Sequence, residues 1–192
     1  VVIQDVRVYM QKWCPEHKLQ TTLIASDAAY WQQTRRFIKP SQMPLKFNTP
    51  IRYGCPYDCG LCPDHEQHSC LAIVEITDQC NLRCPICYSA SGPERLTHRS
   101  FEHIAFMLDA VVANEGRPDV VQISGGEPTI HPDFWRVLDL ARERPIKHLM
   151  VNTNGLKIAR DAAFAKRLAD YMPGFEIYLQ FDSLREEPLR NF

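Results

Sequence analysis

The chain has 192 residues, enough for one domain or one domain with an appendage. Basic and acidic residues nearly cancel, 22 against 23, so nothing points to a nucleic-acid surface or an acidic tail. At 45% hydrophobic and 23% charged, the composition is that of a soluble globular protein, and no run approaches the roughly 18 apolar residues of a membrane helix. The opening residues, Val1-Val2-Ile3-Gln4-Asp5, show no signal-peptide pattern and no initiator Met. The informative count is eight cysteines, all between Cys14 and Cys87, seven of them from Cys55 onward. Disulfides would suit an even count but favour small secreted chains, whereas C-x2-C and C-x3-C steps argue for thiolates converging on metal.

Residues 1–50 read as irregular, with one short strand before Cys14, where Val6, Val8 and Met10 share a parity. Ser26-Asp27 would cap a helix over 28–37, and Pro40 would stop it. Pro40, Pro44 and Pro50 mark a linker, and 51–70 is a cysteine-rich loop. From Leu71 a βα rhythm begins. Strands are expected over 71–77, 120–124, 146–152 and 175–182. Between them fall a helix carrying Phe101, Ile104, Leu108 and Val111 and ended by Gly116, a second opened by Pro132-Asp133, and a third over 160–171. Such alternation predicts an α/β fold with a parallel sheet or barrel, because parallel strands need crossover connections.

Polar residues gather at the strands' C-terminal ends on one parity: Glu75 and Thr77, Gln122 and Ser124, Asn152 with Asn154 just beyond, and Gln180 with Asp182. A sheet covered on both faces would be nearly all apolar, so this pattern suggests a barrel lumen with its site at the top; ordinary strand-end polarity is the alternative. Four strands do not close a barrel of eight, so the expectation is a partial (β/α) barrel, a piece of a longer protein. Its organisation reads as an N-terminal segment (1–50), a cysteine-rich segment (51–70) and the first part of the barrel (71–192).

The strongest motif is Cys80-Asn81-Leu82-Arg83-Cys84-Pro85-Ile86-Cys87-Tyr88, directly after the first barrel strand. Three thiolates at this spacing suit three irons of a 4Fe–4S cluster and leave the fourth iron open; a structural zinc site would want a closed set of four. Here the chain resembles the radical S-adenosylmethionine (SAM) superfamily, which carries C-x3-C-x2-C with an aromatic beside the last cysteine. The resemblance continues through Ser124-Gly125-Gly126-Glu127-Pro128, Asn152-Thr153-Asn154-Gly155 and Tyr178-Leu179-Gln180-Phe181-Asp182-Ser183, each at a strand end. It implies a truncated radical SAM barrel in which Cys80, Cys84 and Cys87 hold the cluster and SAM chelates the fourth iron. Ser124, Gly125, Gly126 and Pro128 would flank the methionyl part, Glu127 would accept from its ammonium, and Tyr88 would lie near the adenine. Asn152, Asn154, Gln180 and Asp182 would bind ribose or line the substrate cavity. The implied reaction is reductive cleavage of SAM to a 5′-deoxyadenosyl radical that takes hydrogen from an unactivated carbon, with a ferredoxin or flavodoxin as reductant.

Cys55, Cys59, Cys62 and Cys70 could close an auxiliary 4Fe–4S site, with a four-cysteine zinc site as the alternative. Cys14-Pro15-Glu16-His17 looks like half of a mononuclear iron or zinc site, Cys14 and His17 being its ligands, unless Cys14 is only a buried thiol. The ordered combination of these cysteine sets resembles the tetraether lipid synthase group, also described as radical SAM methylases or molybdenum-cofactor-type proteins. That narrower resemblance implies C–C coupling of lipid chains, a cytoplasmic enzyme, and contact with a membrane surface where its substrate lies. A radical methylase or peptide-modifying enzyme is the alternative within the class. A zinc-binding interaction module is the alternative outside it.

Overall fold

The computed structural model describes residues 1–34, 36, 43–54, 57, 58, 60–62 and 68–181. The chain divides into two compact units, residues 1–41 and 42–192.

The first unit is more regular than its sequence suggested. Strands β1 (Val2–Gln4), β2 (Arg7–Cys14) and β3 (Lys18–Ala25) form an antiparallel sheet in that order. Both turns depend on positive-φ residues, Asp5 and Val6 in the first and Lys18 in the second. None of these is glycine, the usual signal for such a turn, which is why the hairpins escaped the sequence reading. Helix α1 (Ala28–Thr34) starts where expected, with the Asp27 carboxylate accepting from the Tyr30 N–H at 2.9 Å. The expected end at Phe37–Pro40 lies outside the described residues.

The second unit holds a parallel sheet in the order β4 (Leu71–Thr77), β5 (Val120–Gly125), β6 (His148–Thr153), β7 (Phe175–Leu179). Helices α2 (Phe101–Glu115) and α3 (Phe134–Arg142) connect the first three strands. The helix expected over 160–171 corresponds to α5 (Ala162–Ala169), and a further short helix, α4 (Leu156–Arg160), precedes it. Asp161 breaks them apart, because its carboxylate caps α5 by accepting from the Phe164 N–H at 3.0 Å.

One side-chain parity of the sheet faces the helices. Val74, Ile76, Val121, Ile123, Leu149, Val151 and Phe175 bury against Ile104, Leu108, Phe134, Val137, Leu138, Phe164 and Leu168. Ile104 and Leu108 are fully buried, each contributing roughly 1.5–3 kcal/mol by leaving water. On the other parity the outer strands are open, with Ile73 52% and Tyr178 50% exposed, whereas Gln122 and Ser124 on β5 are buried. Strand register sets Glu75 beside Ser124, and Asn152 beside Tyr178. Asn152 Nδ2 donates to Ser124 Oγ at 3.3 Å, which joins the two pairs into one polar row at the strands' C-terminal ends. That row is what the shared parity of the polar residues predicted. Thr77 departs from it: a register shift after Glu75 turns its hydroxyl to the backbone of Thr97 and the ring of His98.

Candidate functional site

The loop following β4 carries all three cysteines of the C-x3-C-x2-C motif. Its base is tied to its own return segment: Asp78 N–H donates to Thr97 O, Cys80 N–H to Gly92 O, and Arg99 N–H to Ile76 O. Cys80 is half-buried, its sulfur accepting from the Leu82 N–H at 3.4 Å. Burial pushes its thiol pKa up, the Leu82 N–H opposing, and nearby Glu127, Cys84 and Cys87 add to the rise. Cys87 goes the other way, because the Ser89 hydroxyl 3.3 Å away favours its thiolate. Among the described residues, no three His, Cys, Asp or Glu side chains meet closely enough to share one ion. Thiolates of a 4Fe–4S cluster each bond a different iron and need not meet at a point, so the donor set fits a cluster.

The Gly-Gly-Glu-Pro segment ends β5 against the root of this loop. Gly125 sits at φ +131°, and a Cβ there would fall 2.3 Å from Thr77 O. At Gly126 it would fall 2.2 Å from Gln79 O. Without a side chain, both glycines let this chain's own backbone come close. The close approach lets Gly126 N–H donate to Thr77 O at 2.8 Å and Glu127 N–H to Gln79 O at 2.9 Å. The Glu127 side chain is 1% exposed. Its Oε1 accepts from Thr129 N–H (3.1 Å), Thr129 Oγ1 (2.6 Å) and Thr153 Oγ1 (2.7 Å), and Oε2 from Asn154 N–H (2.9 Å). Pro128 opens a buried 3-10 turn, Pro128–Ile130, that brings Thr129 back to the carboxylate.

Of the remaining site residues, Ser124 is buried and Asn152 half-buried on the open face. Asn152 Oδ1 is buried with no hydrogen-bond partner among the described residues, an acceptor that a ligand hydroxyl or amine would satisfy. Asn154 is held at both ends of its carboxamide, with Nδ2 donating to Asn81 Oδ1 at 2.7 Å and Oδ1 accepting from Leu156 N–H at 3.1 Å. Gln180 lies past the end of β7 with an exposed side chain, its N–H donating to Thr153 O. Tyr88 is 85% exposed on the cysteine loop. Asp182 lies outside the described residues.

Sequence reasoning missed Asn81, Thr129, Thr153 and His131. The first three sit inside or beside quoted motifs, so position in a motif was the available signal. His131 carried none. It is buried, with Nε2–H donating to Arg99 O at 3.0 Å and Nδ1 accepting from Asp133 N–H at 3.0 Å. Burial lowers its pKa, the Arg99 carbonyl opposing, and protonation at Nδ1 would break the Asp133 bond. The unfolded chain therefore binds more protons than the folded one below the ordinary value of 6.5. Stability should be fully present above that pH and fall as pH drops through it. Urea midpoints at pH 7.5 and 5.5 check this, and His131→Gln should flatten the difference.

Cys70 lies at the opposite end of the sheet. Cys70 immediately precedes β4, and six residue steps along the strand separate Leu71 from Thr77, roughly 20 Å. The cysteine-rich segment is anchored where α2 ends. Leu45 N–H donates to Asn114 O, Ser69 N–H donates to Glu115 Oε1 at 3.1 Å, and His68 Nδ1 meets Glu115 Oε2 at 3.2 Å. The Asp58 carboxylate accepts from three successive N–H groups, Arg52, Tyr53 and Gly54, and these bonds hold its pKa down. Cys55 and Cys59 lie outside the described residues. Glu115→Ala would leave the Ser69 N–H unpaired, about 1–3 kcal/mol. Tryptic cleavage after the exposed Arg52 should then speed up by about tenfold; an unchanged rate would mean that the latch does not hold the segment.

In the first unit, Cys14 and His17 close the β2–β3 turn. Cys14 Sγ lies 3.2 Å from His17 Nδ1 and accepts from the His17 N–H at 3.1 Å.

The radical SAM superfamily model matches residues 74–192. Among curated proteins, the chain is 33% identical over 190 residues to 7,8-dihydro-6-hydroxymethylpterin dimethyltransferase of Methanocaldococcus jannaschii, covering 98% of this chain and 37% of that protein. It is 35% identical over 101 residues to the mycofactocin maturase MftC of Mycobacterium tuberculosis (51% of this chain, 24% of that protein). It is 34% identical over 102 residues to GTP 3′,8-cyclase of Haemophilus influenzae (50% and 29%). The chain thus spans between about a quarter and two fifths of the curated relatives it matches. A solved structure, native anSMEcpe with bound AdoMet and Cp18Cys peptide, is 23% identical with a TM-score of 0.46, covering 60% of this chain and 32% of that one. No described helix is long and apolar enough to cross a membrane. With a parallel sheet, a three-cysteine loop on its first strand and a family match from β4 onward, this chain belongs to the radical SAM superfamily.

Proposed function

We propose that Cys80, Cys84 and Cys87 hold a 4Fe–4S cluster and that the polar row ending β4–β7 receives SAM and the reacting carbon. When bound, the cluster and SAM supply a 5′-deoxyadenosyl radical, generated by one electron from a ferredoxin- or flavodoxin-type donor, that takes hydrogen from an unactivated carbon. The chain's part is orientation and exclusion of water. The carrying observation is the junction of the cysteine loop with the Gly-Gly-Glu-Pro segment, two backbones packed so tightly that Gln79 and Thr77 leave no room for a Cβ. Asn152 Oδ1 offers an unused acceptor to the ligand.

The outcome we favour is carbon–carbon bond formation at that unactivated carbon, either coupling of lipid chains or addition of a methyl group. The second form draws support from the pterin dimethyltransferase, whose likeness runs over 98% of this chain and so takes in every cysteine set. Cys55, Cys59, Cys62 and Cys70 would hold an auxiliary cluster at the far end of the sheet, and Cys14 with His17 half of a mononuclear iron or zinc site. Anaerobic reconstitution with iron and sulfide, then dithionite and SAM, should yield broad visible absorption and 5′-deoxyadenosine. Absence of both would sink the cluster reading and leave a zinc-binding module.

A further inference from the structure

Glu127 makes contacts that a simple ligand for the methionyl ammonium would not need. Its carboxylate is 1% exposed, and four protein donors already point at it. Two of its connections lead to the same place. Through its N–H it holds Gln79 O, the residue before Cys80. Through Oε2 it holds the Asn154 N–H, and the Asn154 amide in turn donates to Asn81 Oδ1, the residue after Cys80. The Asn154 side chain has no freedom to leave that bond, because its Oδ1 caps Leu156 N–H at the start of α4. Thr153 fixes the same turn from below, its hydroxyl donating to Glu127 Oε1 and accepting from Gly155 N–H.

We propose that Glu127 is a positioning residue that grips Cys80 from both sides, by its backbone through Gln79 and by its carboxylate through an Asn154–Asn81 clasp. The clasp ties the root of the cysteine loop to the end of β6, two segments far apart in sequence. This rests on the reading of Cys80 as a cluster ligand for its functional meaning, but the clasp itself is a property of the protein without its cluster. A buried carboxylate suits the task better than an amide. All four partners are donors, and ionised oxygens accept from all of them, whereas a carboxamide must turn one N–H group toward a donor.

The test compares Glu127→Gln, Asn154→Ala and Asn81→Ala by hydrogen exchange on the cluster-free protein. Asn81 is exposed, so its variant should fold with an unchanged urea midpoint. Asn81→Ala and Asn154→Ala should each speed amide exchange across 79–92 by roughly three- to tenfold, as loss of one hydrogen bond predicts. The double variant should be no faster than the faster single, because both remove the same bond. Glu127→Gln should speed exchange at 153–155 as well. Unchanged exchange in 79–92 for Asn81→Ala, or additive effects in the double variant, would overturn the clasp whether or not the protein binds a cluster. In reconstituted protein, all three variants should broaden or shift the EPR signal of the reduced cluster. If only Glu127→Gln weakens SAM binding while the two asparagine variants leave SAM binding and EPR untouched, Glu127 is a direct ligand and the positioning role is wrong.

Discussion

Cys84→Ala should abolish SAM cleavage, while Cys70→Ala should leave it. The two cysteines look alike in the sequence, since both belong to C-x3-C-x2-C sets or their closing partner, and the fold separates them. Cys84 lies in the loop beyond the C-terminal end of β4, and Cys70 stands before its first residue. A strand of seven residues keeps the two ends of the sheet roughly 20 Å apart, so one cluster cannot use both. Three thiolates are the minimum protein set of an open 4Fe–4S cluster, and removing one leaves two ligands for four irons. Iron content in Cys84→Ala should therefore drop by about four atoms per chain, with 5′-deoxyadenosine below detection. Cys70→Ala should lose iron too, yet still release 5′-deoxyadenosine on reduction with SAM. Retained cleavage in Cys84→Ala, or lost cleavage in Cys70→Ala, would reverse the assignment of the two cysteine sets.

The parts of this molecule that follow from periodicity were legible in its sequence. Helix α2 and its stop at Gly116, the four parallel strands, and the gathering of polar side chains at their C-terminal ends all follow from local patterns of two and 3.6 residues. The first unit was only partly legible: the strand before Cys14 and the start of α1 were, but its hairpins turn on Asp5, Val6 and Lys18 rather than on glycine or asparagine. The short helix α4 was missed, and the expected start at Arg160 ran past the break at Asp161, which caps α5 rather than continuing a helix. Motifs picked out the candidate residues, but not the contacts these make with one another. Gly125, Gly126 and Glu127 were read as facing a ligand; the structure adds that they also hold strand ends to the cysteine loop. Such contacts join residues distant along the chain, and no local pattern encodes them. Asn81 and Thr153 became visible only once Asn154 and Glu127 had been placed in space.

Gly126→Ala should be a severely damaging single-methyl addition. The new Cβ would stand 2.2 Å from Gln79 O and 2.6 Å from Gln79 C, and both are backbone atoms that cannot rotate away. Overpacking typically costs about 1–3 kcal/mol, and a clash between two backbones belongs at or above the upper end. For a domain of this size, about 3 kcal/mol lowers the melting temperature by roughly 6–12 °C. Relief would require the loop root to retreat, which lengthens the Gly126-to-Thr77 and Glu127-to-Gln79 hydrogen bonds and moves Cys80 with them. Loss of stability and loss of the SAM-cleaving cluster should therefore arrive together. Gly92→Ala supplies the contrast on the same loop, since its Cβ would meet only the flexible end of Glu94 at 3.2 Å. Its melting temperature should stay within about 2 °C of the parent, consistent with a change of under about 0.5 kcal/mol at a tolerant site. Thermal melts of the cluster-free protein followed by iron analysis after reconstitution test both. Equal melting temperatures for the two variants would show that the Gly126 junction yields easily, and the tight backbone contact could then no longer explain why a glycine stands there.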